Sequence, residues 1–219
     1  MTLQIDFTQI LQPFIANWPW FLGLFILLIL ARFFGSAGFK GWFGERAVSK
    51  SLSRLDPEIY QTFHDLYLPR PDGKGTTQLD HVVVSPFGIF VIETKNYRGW
   101  IFGSEKQRQW TQQIYKRKER FQNPLHQNHL HIRALMDFLG LPESAFHSVI
   151  FFIGASTFKT PMPPNVLNKG LRPWIETRRD PILSPVQVVR IREVLDKHEH
   201  HTDRKAAARD HLRAMRKRT

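Results

Sequence analysis

The first pattern along the chain is an apolar segment at residues 14–34, in which positions 18–31 hold only apolar side chains, glycine and proline. As a helix with a rise of about 1.5 Å per residue, the segment spans roughly 31 Å, close to the thickness of the hydrocarbon core of a bilayer. The run has no polar face, which a helix lying in the membrane interface would need. The pattern therefore predicts one transmembrane helix at residues 14–34 that anchors the chain in a lipid bilayer.

Charge on the two sides of this segment predicts its orientation. Residues 1–13 contain no Lys or Arg, whereas Arg32, Lys40, Arg46 and Lys50 follow the segment. By the positive-inside rule, residues 1–13 form a short outer N-terminus, and the bulk of the chain lies in the cytoplasm at a plasma or inner membrane. A cleaved signal peptide is the alternative interpretation, although such peptides carry their basic residues before the apolar region.

After a linker at residues 35–40, the spacing of apolar residues alternates between helical and strand-like, which predicts a mixed α/β domain. Residues 45–55 predict a short helix behind a Gly-rich joint at residues 35–44. Residues 156–219 are predicted as a Pro-rich loop, a helix and a basic C-terminal extension. The remaining predicted elements are a helix at Leu125–Leu139, a strand at His147–Ala155, a helix at Val186–Asp196 and a basic helix or frayed tail at Lys205–Thr219.

Two β-rich runs, Gln78–Ser85 and Ile89–Asn96, flank a Pro-Phe-Gly turn and predict a β-hairpin. A loop of two or four residues pairs positions whose numbers sum to 173, which places Asp80 opposite Glu93. Their Cβ atoms would lie about 5 Å apart on one face, where two like charges need a cation between them. A loop of three residues would place Asp80 opposite Thr94 instead. A bulge would also change the direction of the Asp80 side chain.

Lys95, which shares a face with Glu93, or a metal ion can supply this positive charge. Carboxylate oxygens suit Mg²⁺, which keeps several waters and leaves positions open for a phosphate and a nucleophilic water. Lys95 would then orient that water or offset charge on the phosphorane-like transition state. A surface salt bridge is the alternative for a Glu-x-Lys triplet alone. However, Asp80 and Glu93 interrupt apolar strands, where unpaired carboxylates are costly to bury.

The overall charge indicates a polyanionic partner. The formal net charge is +12, and residues 1–31 contain a single charged side chain, Asp6. A surface this basic attracts nucleic acid or anionic lipid headgroups. A basic run at residues 115–120 is the candidate for contacts with a phosphate backbone, and a solvated charged helix face is the alternative. Its cationic members are Lys116, Arg117, Lys118 and Arg120.

Several short motifs carry a family resemblance. They are Gly44-Glu45, the run TQLDHVVVSPFGIFVIETKNYRG at residues 77–99, Trp110 and the run FQNPLHQ at residues 121–127. Over residues 41–155 the sequence resembles the nuclease-related (NERD) domain of the PD-(D/E)xK nuclease superfamily. The resemblance implies a restriction-endonuclease-like core, in which helices flank a mixed sheet.

The same resemblance implies roles for individual residues. Asp80, Glu93 and Lys95 would form the metal-binding and catalytic set, with the two carboxylates as ligands of the metal. Glu45, on the preceding helix, would be a fourth acidic group near that metal. Gln127 matches a further polar position, where it would contact the nucleic acid or serve as a structural hydrogen-bonding residue.

These observations predict a membrane-anchored nuclease that uses Mg²⁺, or Mn²⁺, to cut DNA or RNA. A first alternative is a catalytically silent nuclease-like module that holds nucleic acid or a partner protein at the membrane. In a second alternative, the hairpin cluster is a structural salt bridge and the basic surface docks on lipid.

Overall fold

The computed structural model describes residues 17–29, 32, 37–202 and 208–209. The chain divides into two compact units, residues 1–43 and residues 44–219. In the first unit, residues 17–29 form a helix, α1, whose large apolar side chains are exposed.

The predicted transmembrane helix at residues 14–34 is not supported. Among the described residues, no helix has both the length and the apolar character needed to cross a bilayer. Seven residues of the predicted segment lie outside the described residues, namely 14–16, 30, 31, 33 and 34. The predicted outer N-terminus and, apart from residues 208–209, the predicted C-terminal tail also lie outside them.

From residue 37 onward the chain alternates between helices and strands. Helix α2 begins at Ala37, so the predicted Gly-rich joint is helical from that residue on. Gly44 lets α2 approach the sheet, because a Cβ there would lie 2.9 Å from the side-chain nitrogen of Asn96. In chain order the elements are α2 (Ala37–Leu52), β1 (Gln61–Pro69), β2 (Thr76–Ser85), β3 (Gly88–Asn96), β4 (Gly99–Phe102), β5 (Gln109–Ile114), β6 (Arg117–Gln122), α3 (Pro124–Leu139), β7 (Phe146–Ile153), β8 (Ser156–Phe158), β9 (Val166–Leu167), α4 (Leu171–Glu176) and α5 (Pro185–His201).

The predicted hairpin is formed by β2 and β3. Ser85 pairs with Gly88 across a loop of two residues, and His81 pairs with Ile92, so the paired positions sum to 173. This is the predicted register. The regular ladder ends at His81 and Ile92, one position before Asp80 and Glu93.

This hairpin lies at the centre of a five-stranded sheet with the order β1-β2-β3-β7-β9, in which β1, β2 and β3 are antiparallel and β7 and β9 continue in parallel. Alternate residues of its strands point to opposite faces. Val82 and Val91 pack with residues of α3 and α5, whereas Val83 and Ile92 pack with residues of α2 and α4. Helices therefore cover both faces, as the predicted mixed α/β fold requires.

A second sheet, with the order β6-β5-β4-β8, extends the domain beyond the end of β3. Its inner face packs against β7, where the ring of Trp110 stacks on Phe152 with the ring centroids 6.1 Å apart. Gly103 permits this contact, because a Cβ at that position would lie 2.2 Å from the Trp110 ring. The basic run at residues 115–120 forms the turn and the first part of β6. The interpretation of that run as a helix face is therefore wrong.

Helix α3 holds several side chains of the candidate site, and its two ends are well defined. Asn123 accepts a hydrogen bond from the Leu125 amide, Pro124 occupies the first turn, and Gly140 ends the helix with φ 65°. Asn128 fixes the helix against the main sheet by donating to the carbonyls of Val91 and Val149 at 2.9 and 3.4 Å. The predicted helix and its glycine stop are confirmed.

Candidate functional site

Asp80 and Glu93 lie where the β2–β3 ladder ends, and their side chains have different partners. The Oδ2 atom of Asp80 accepts a hydrogen bond of 2.8 Å from the backbone amide of Thr94. Asp80 therefore bridges the two strands by a side chain at the point where regular backbone pairing stops. Asp80 is half-buried, and Glu93 is buried more deeply, with its side chain only 3% exposed.

Two groups donate to the Glu93 carboxylate, one to each oxygen, and a third group contacts one of these donors. The Lys95 ammonium donates to Oε1 at 2.6 Å, and the His131 ring nitrogen Nε2 donates to Oε2 at 3.1 Å. The hydroxyl of Thr77 lies 2.8 Å from the other ring nitrogen, Nδ1. In the neutral tautomer that satisfies both contacts, Nε2 carries the proton and Nδ1 accepts from Thr77.

Lys95 is held from two sides. Besides Glu93, its Nζ donates to the side-chain oxygen of Gln127 at 2.9 Å. The predicted residues Asp80, Glu93, Lys95 and Gln127 therefore belong to one cluster, with Gln127 on α3 and the others on the hairpin. The predicted role of Gln127 in nucleic-acid binding stays a prediction.

The electrostatics of the cluster show an excess of negative charge around Asp80. Burial raises the pKa of Asp80 well above its usual value, and the neighbouring carboxylate of Glu93 raises it further. The pKa of Glu45 is also raised, first by burial and then by Asp65 and Glu93. Glu45 therefore interacts with the charges of the cluster, and its predicted role beside a metal stays a prediction.

Glu93 and Lys95 behave as an ion pair. Burial opposes ionisation of both groups, but the Lys95 charge and the His131 hydrogen bond lower the pKa of Glu93 below its usual value. Interaction with Glu93 in turn raises the pKa of Lys95. Lys95 therefore stays protonated at neutral pH and acts as a hydrogen-bond donor rather than as a base.

The sequence analysis missed three residues of this neighbourhood: Thr77, His131 and Asp65. His131 follows Gln127 by four positions on a predicted helix, a spacing that places both on one face, and this signal could have found it. Asp65 has a φ of 54° and accepts a hydrogen bond of 2.9 Å from Gln78. It lies on β1, a strand that the sequence analysis did not predict.

A pair of histidines lies next to the acidic cluster. The Nδ1 atoms of His64 and His81 are 2.8 Å apart, and the rings meet edge to face. Burial, and to a lesser degree the proximity of His64, lower the pKa of His81 to about 3. His81 is therefore neutral at physiological pH and offsets none of the nearby negative charge.

The predicted basic run lies elsewhere in the domain. Lys116, Arg117, Lys118 and Arg120 are all exposed on the β5–β6 hairpin, and Arg117 pairs with Glu119. Among the described residues, no hydrogen bond or ion pair joins these side chains to Asp80, Glu93 or Lys95.

The donor set has the chemistry of a site for a divalent cation. Asp80 and Glu93 supply hard oxygen donors, and the raised pKa values of Asp80 and Glu45 show that a further positive charge would be favourable. Across residues 17–29 and 37–202, however, no three His, Asp or Glu side chains are arranged to hold an ion. Both oxygens of Glu93 already accept hydrogen bonds, so a cation would share this carboxylate with Lys95 and His131 or displace one of them.

Comparison with known protein families shows to which family the chain belongs. A family model described as the nuclease-related domain, NERD, matches residues 40–153. The chain belongs to the NERD family. The matched range contains every residue of the acidic cluster and the basic run, and it agrees with the resemblance seen over residues 41–155.

The chain is also similar to a bacterial protein. An uncharacterized protein of Bacillus anthracis is 51% identical over 96 residues, which cover 44% of this chain and 45% of the relative. The matched region thus spans less than half the length of that relative. No solved structure matches the chain.

Proposed function

We propose that the chain is a membrane-anchored nuclease that hydrolyses phosphodiester bonds of DNA or RNA and uses Mg²⁺ or Mn²⁺ as its cofactor. The observation that carries the proposal is the cluster of Asp80, Glu93 and Lys95 at the end of the β2–β3 hairpin, within a NERD domain. The cluster supplies two carboxylates and one protonated amine at a single point of the sheet.

Each member of the cluster has a chemical role in this proposal. Asp80 and Glu93 hold the cation, and Glu45 adds negative charge beside it. When bound, the cation supplies Lewis-acid polarisation of the phosphate and lowers the pKa of a bound water. Lys95, protonated and fixed by Gln127, donates a hydrogen bond to the phosphate oxygens, on which negative charge grows in the transition state.

Membrane anchoring is the second part of the proposal. It is supported by the apolar sequence at residues 14–34 and by the Lys and Arg residues that follow it. In this proposal residues 1–13 lie outside the membrane and the NERD domain lies in the cytoplasm.

The experiment that tests the proposal uses the full chain purified in detergent. Fluorescent single- and double-stranded DNA and RNA are incubated with Mg²⁺, with Mn²⁺ or with a chelator, alongside the Asp80→Ala variant. We expect cutting that requires the metal and that the variant lacks. Absence of cutting on every substrate, with binding retained, would contradict the proposal.

One observation favours the alternative, a catalytically silent nuclease-like module. Lys95 and His131 already donate to both oxygens of Glu93, so this carboxylate is paired without a metal ion. If the domain only binds nucleic acid, loss of the cations of the β5–β6 hairpin will reduce binding, whereas Asp80→Ala will change nothing. The two functions therefore differ in which of these variants has an effect.

A further inference from the structure

The outer face of the second sheet carries side chains in a regular arrangement. Residues that pair across neighbouring strands point to the same face. Trp100 of β4 pairs with Gln113 of β5, which in turn pairs with Lys118 of β6. The next row along the strands is formed in the same way by Phe102, Thr111 and Arg120.

This face is positively charged. Three surface depressions with volumes of about 590, 350 and 410 Å³ adjoin one another, because neighbouring depressions share lining residues such as Arg108 and Arg120. Lys118 lines the third. None of the described lining residues is acidic, and Arg108, Lys118 and Arg120 make no ion pair within the described part of the chain.

The basic run is split by the alternation of β6. Lys118 and Arg120 point to the outer face, whereas Arg117 and Glu119 point to the other side and pair with each other. Phe121, on that same side, is packed into the core with Trp110. Only half of the predicted phosphate-binding run therefore contributes to this surface.

Aromatic side chains accompany the cations on the outer face. Trp100 is 47% exposed, which is a large fraction for an indole side chain. It belongs to none of the three apolar clusters of the described residues. The ammonium group of Lys159 lies 4.6 Å from the centre of its ring. Phe102 follows two positions later on the same strand, about 7 Å away, and lines two of the depressions.

We infer that this outer face of β4, β5 and β6 is a docking surface for single-stranded nucleic acid. The inference goes beyond the proposed function in naming a surface and the strandedness of the ligand, and it rests on that function only in taking nucleic acid as the ligand. Lys118, Arg120 and Arg108 contact successive phosphates, and unpaired bases stack on Trp100 and Phe102. The amide side chains that line the depressions donate and accept hydrogen bonds at base edges.

The combination of aromatic rings with cations distinguishes this ligand from others. In a duplex the faces of the bases are stacked inside the helix and cannot reach a tryptophan on a sheet, so duplex binding would use the cations alone. Anionic lipid headgroups would likewise use the cations and have no flat ring to stack on Trp100. Loss of the exposed indole therefore separates a single strand from a duplex, and displacement by lipid separates a single strand from a headgroup.

The test is a binding measurement on the full chain in detergent, with a chelator present so that nothing is cut. Fluorescence anisotropy reports binding of a labelled single strand of about 16 nucleotides and of the matching duplex. We expect Trp100→Ala to weaken binding of the single strand about tenfold and to change duplex binding much less. Trp100→Phe should restore most of the loss, and unchanged melting temperatures would show that the variants fold.

Two matched double variants test the cations. Lys118→Ala with Arg120→Ala removes two charges from the docking face, and Lys116→Ala with Arg117→Ala removes two charges that do not line it. We expect the first pair to lower the slope of log affinity against log salt by about 1.4, as for two lost phosphate contacts. The second pair should change the slope far less.

Several results would overturn the inference. Equal effects of the two double variants, or no effect of Trp100→Ala, would argue against contacts on this face. Tighter binding of the duplex than of the single strand would argue against the strandedness. A short-chain phosphatidylglycerol that displaces the labelled strand as effectively as unlabelled strand does would identify lipid as the ligand. The result of this binding test is independent of the result of the cutting test of the proposed function. Binding that follows these expectations without metal-dependent cutting would sustain the docking surface and remove the nuclease, and the reverse pattern would do the opposite.

Discussion

The ammonium group of Lys95 lies 2.6 Å from the carboxylate of Glu93, two positions earlier on the same strand and on the same face. The Asp80 carboxylate also raises the pKa of Lys95 and so favours its charged form. Lys95 thus offsets part of the negative charge of the cluster, but the raised pKa of Asp80 shows that the compensation is incomplete. The stability of the cluster is therefore expected to respond to the removal of either charge.

Asp80→Asn is expected to stabilise the metal-free protein at neutral pH. The pKa of Asp80 is raised in the folded state, so its contribution to stability is fully present below the usual value of about 4 and is lost as the pH rises through the higher folded value. Asparagine does not ionise and can still accept from the Thr94 amide. In the presence of a chelator, its melting temperature should exceed that of the wild type by at least about 2 °C at pH 7, with the difference disappearing near pH 3.

The control for this prediction is Asp137→Asn, which removes the same charge from an exposed position on α3. That variant should show no comparable gain at any pH. A lower melting temperature for Asp80→Asn than for the wild type at pH 7 would show that the Asp80 charge stabilises the metal-free fold.

Lys95→Ala should be strongly destabilising, because it leaves the Glu93 carboxylate buried without its ion-pair partner. Breaking one side of a buried pair costs about 3–5 kcal/mol. Adding Glu93→Gln should recover much of this loss, since glutamine carries no charge and still accepts from His131. Chemical denaturation of the two single variants and the double variant measures the coupling. Simple addition of the two single losses would argue against the pair.

His131 is expected to act as a positioning residue for Glu93. His131→Ala removes the donor to Oε2, which raises the pKa of Glu93 and costs about 1–3 kcal/mol of stability. The acidic limb of the pH profile of metal-dependent cutting should therefore move to higher pH. Thr77→Val should cause a smaller shift in the same direction, because Thr77 contacts only the far side of the ring. A purely structural role for His131 would lower the melting temperature and leave the limb in place.

Asn123 is expected to fasten the loop at residues 104–107 to the start of α3. Its amide nitrogen donates to the carbonyls of Ser104, Glu105 and Gln107, and its oxygen caps the helix through Leu125. Asn123→Ser keeps an uncharged cap oxygen and loses the amide donors, whereas Asn123→Ala loses both. Both variants should be destabilised, with alanine the worse by about 1 kcal/mol, the usual value of a helix cap. Equal losses would mean that the cap contributes nothing.

Local patterns in the sequence were sufficient to predict the central hairpin and α3. The two-residue loop gives a register that follows from residue numbers alone, and apolar runs on each side leave little freedom for slippage. Asn123-Pro124 and Gly140 mark the two ends of α3 with residues that have specific backbone preferences. The grouping of Asp80, Glu93 and Lys95 follows from this register.

The second sheet could not be predicted in the same way. Its strands are short, and β6 (RKERFQ) has no apolar alternation, since only Phe121 among its residues packs into the core. Strand β6 forms because it pairs with β5 across a short turn, and β4 pairs with β5 and also with β8, which lies far along the chain. Strand propensity depends on this context, so the outer face of the sheet became visible only in three dimensions.

The most direct test of the nuclease assignment is the rate of Mg²⁺-dependent cutting by Asp80→Asn, measured beside its melting temperature. The wild type should cut, and the variant should be at least about a hundredfold slower, as expected when a group that stabilises the transition state is lost, although it is as stable as the wild type or more so. Such a result would place the loss in the chemistry rather than in the fold. Cutting at the wild-type rate by Asp80→Asn would contradict the assignment of Asp80 to the metal site and with it the central claim.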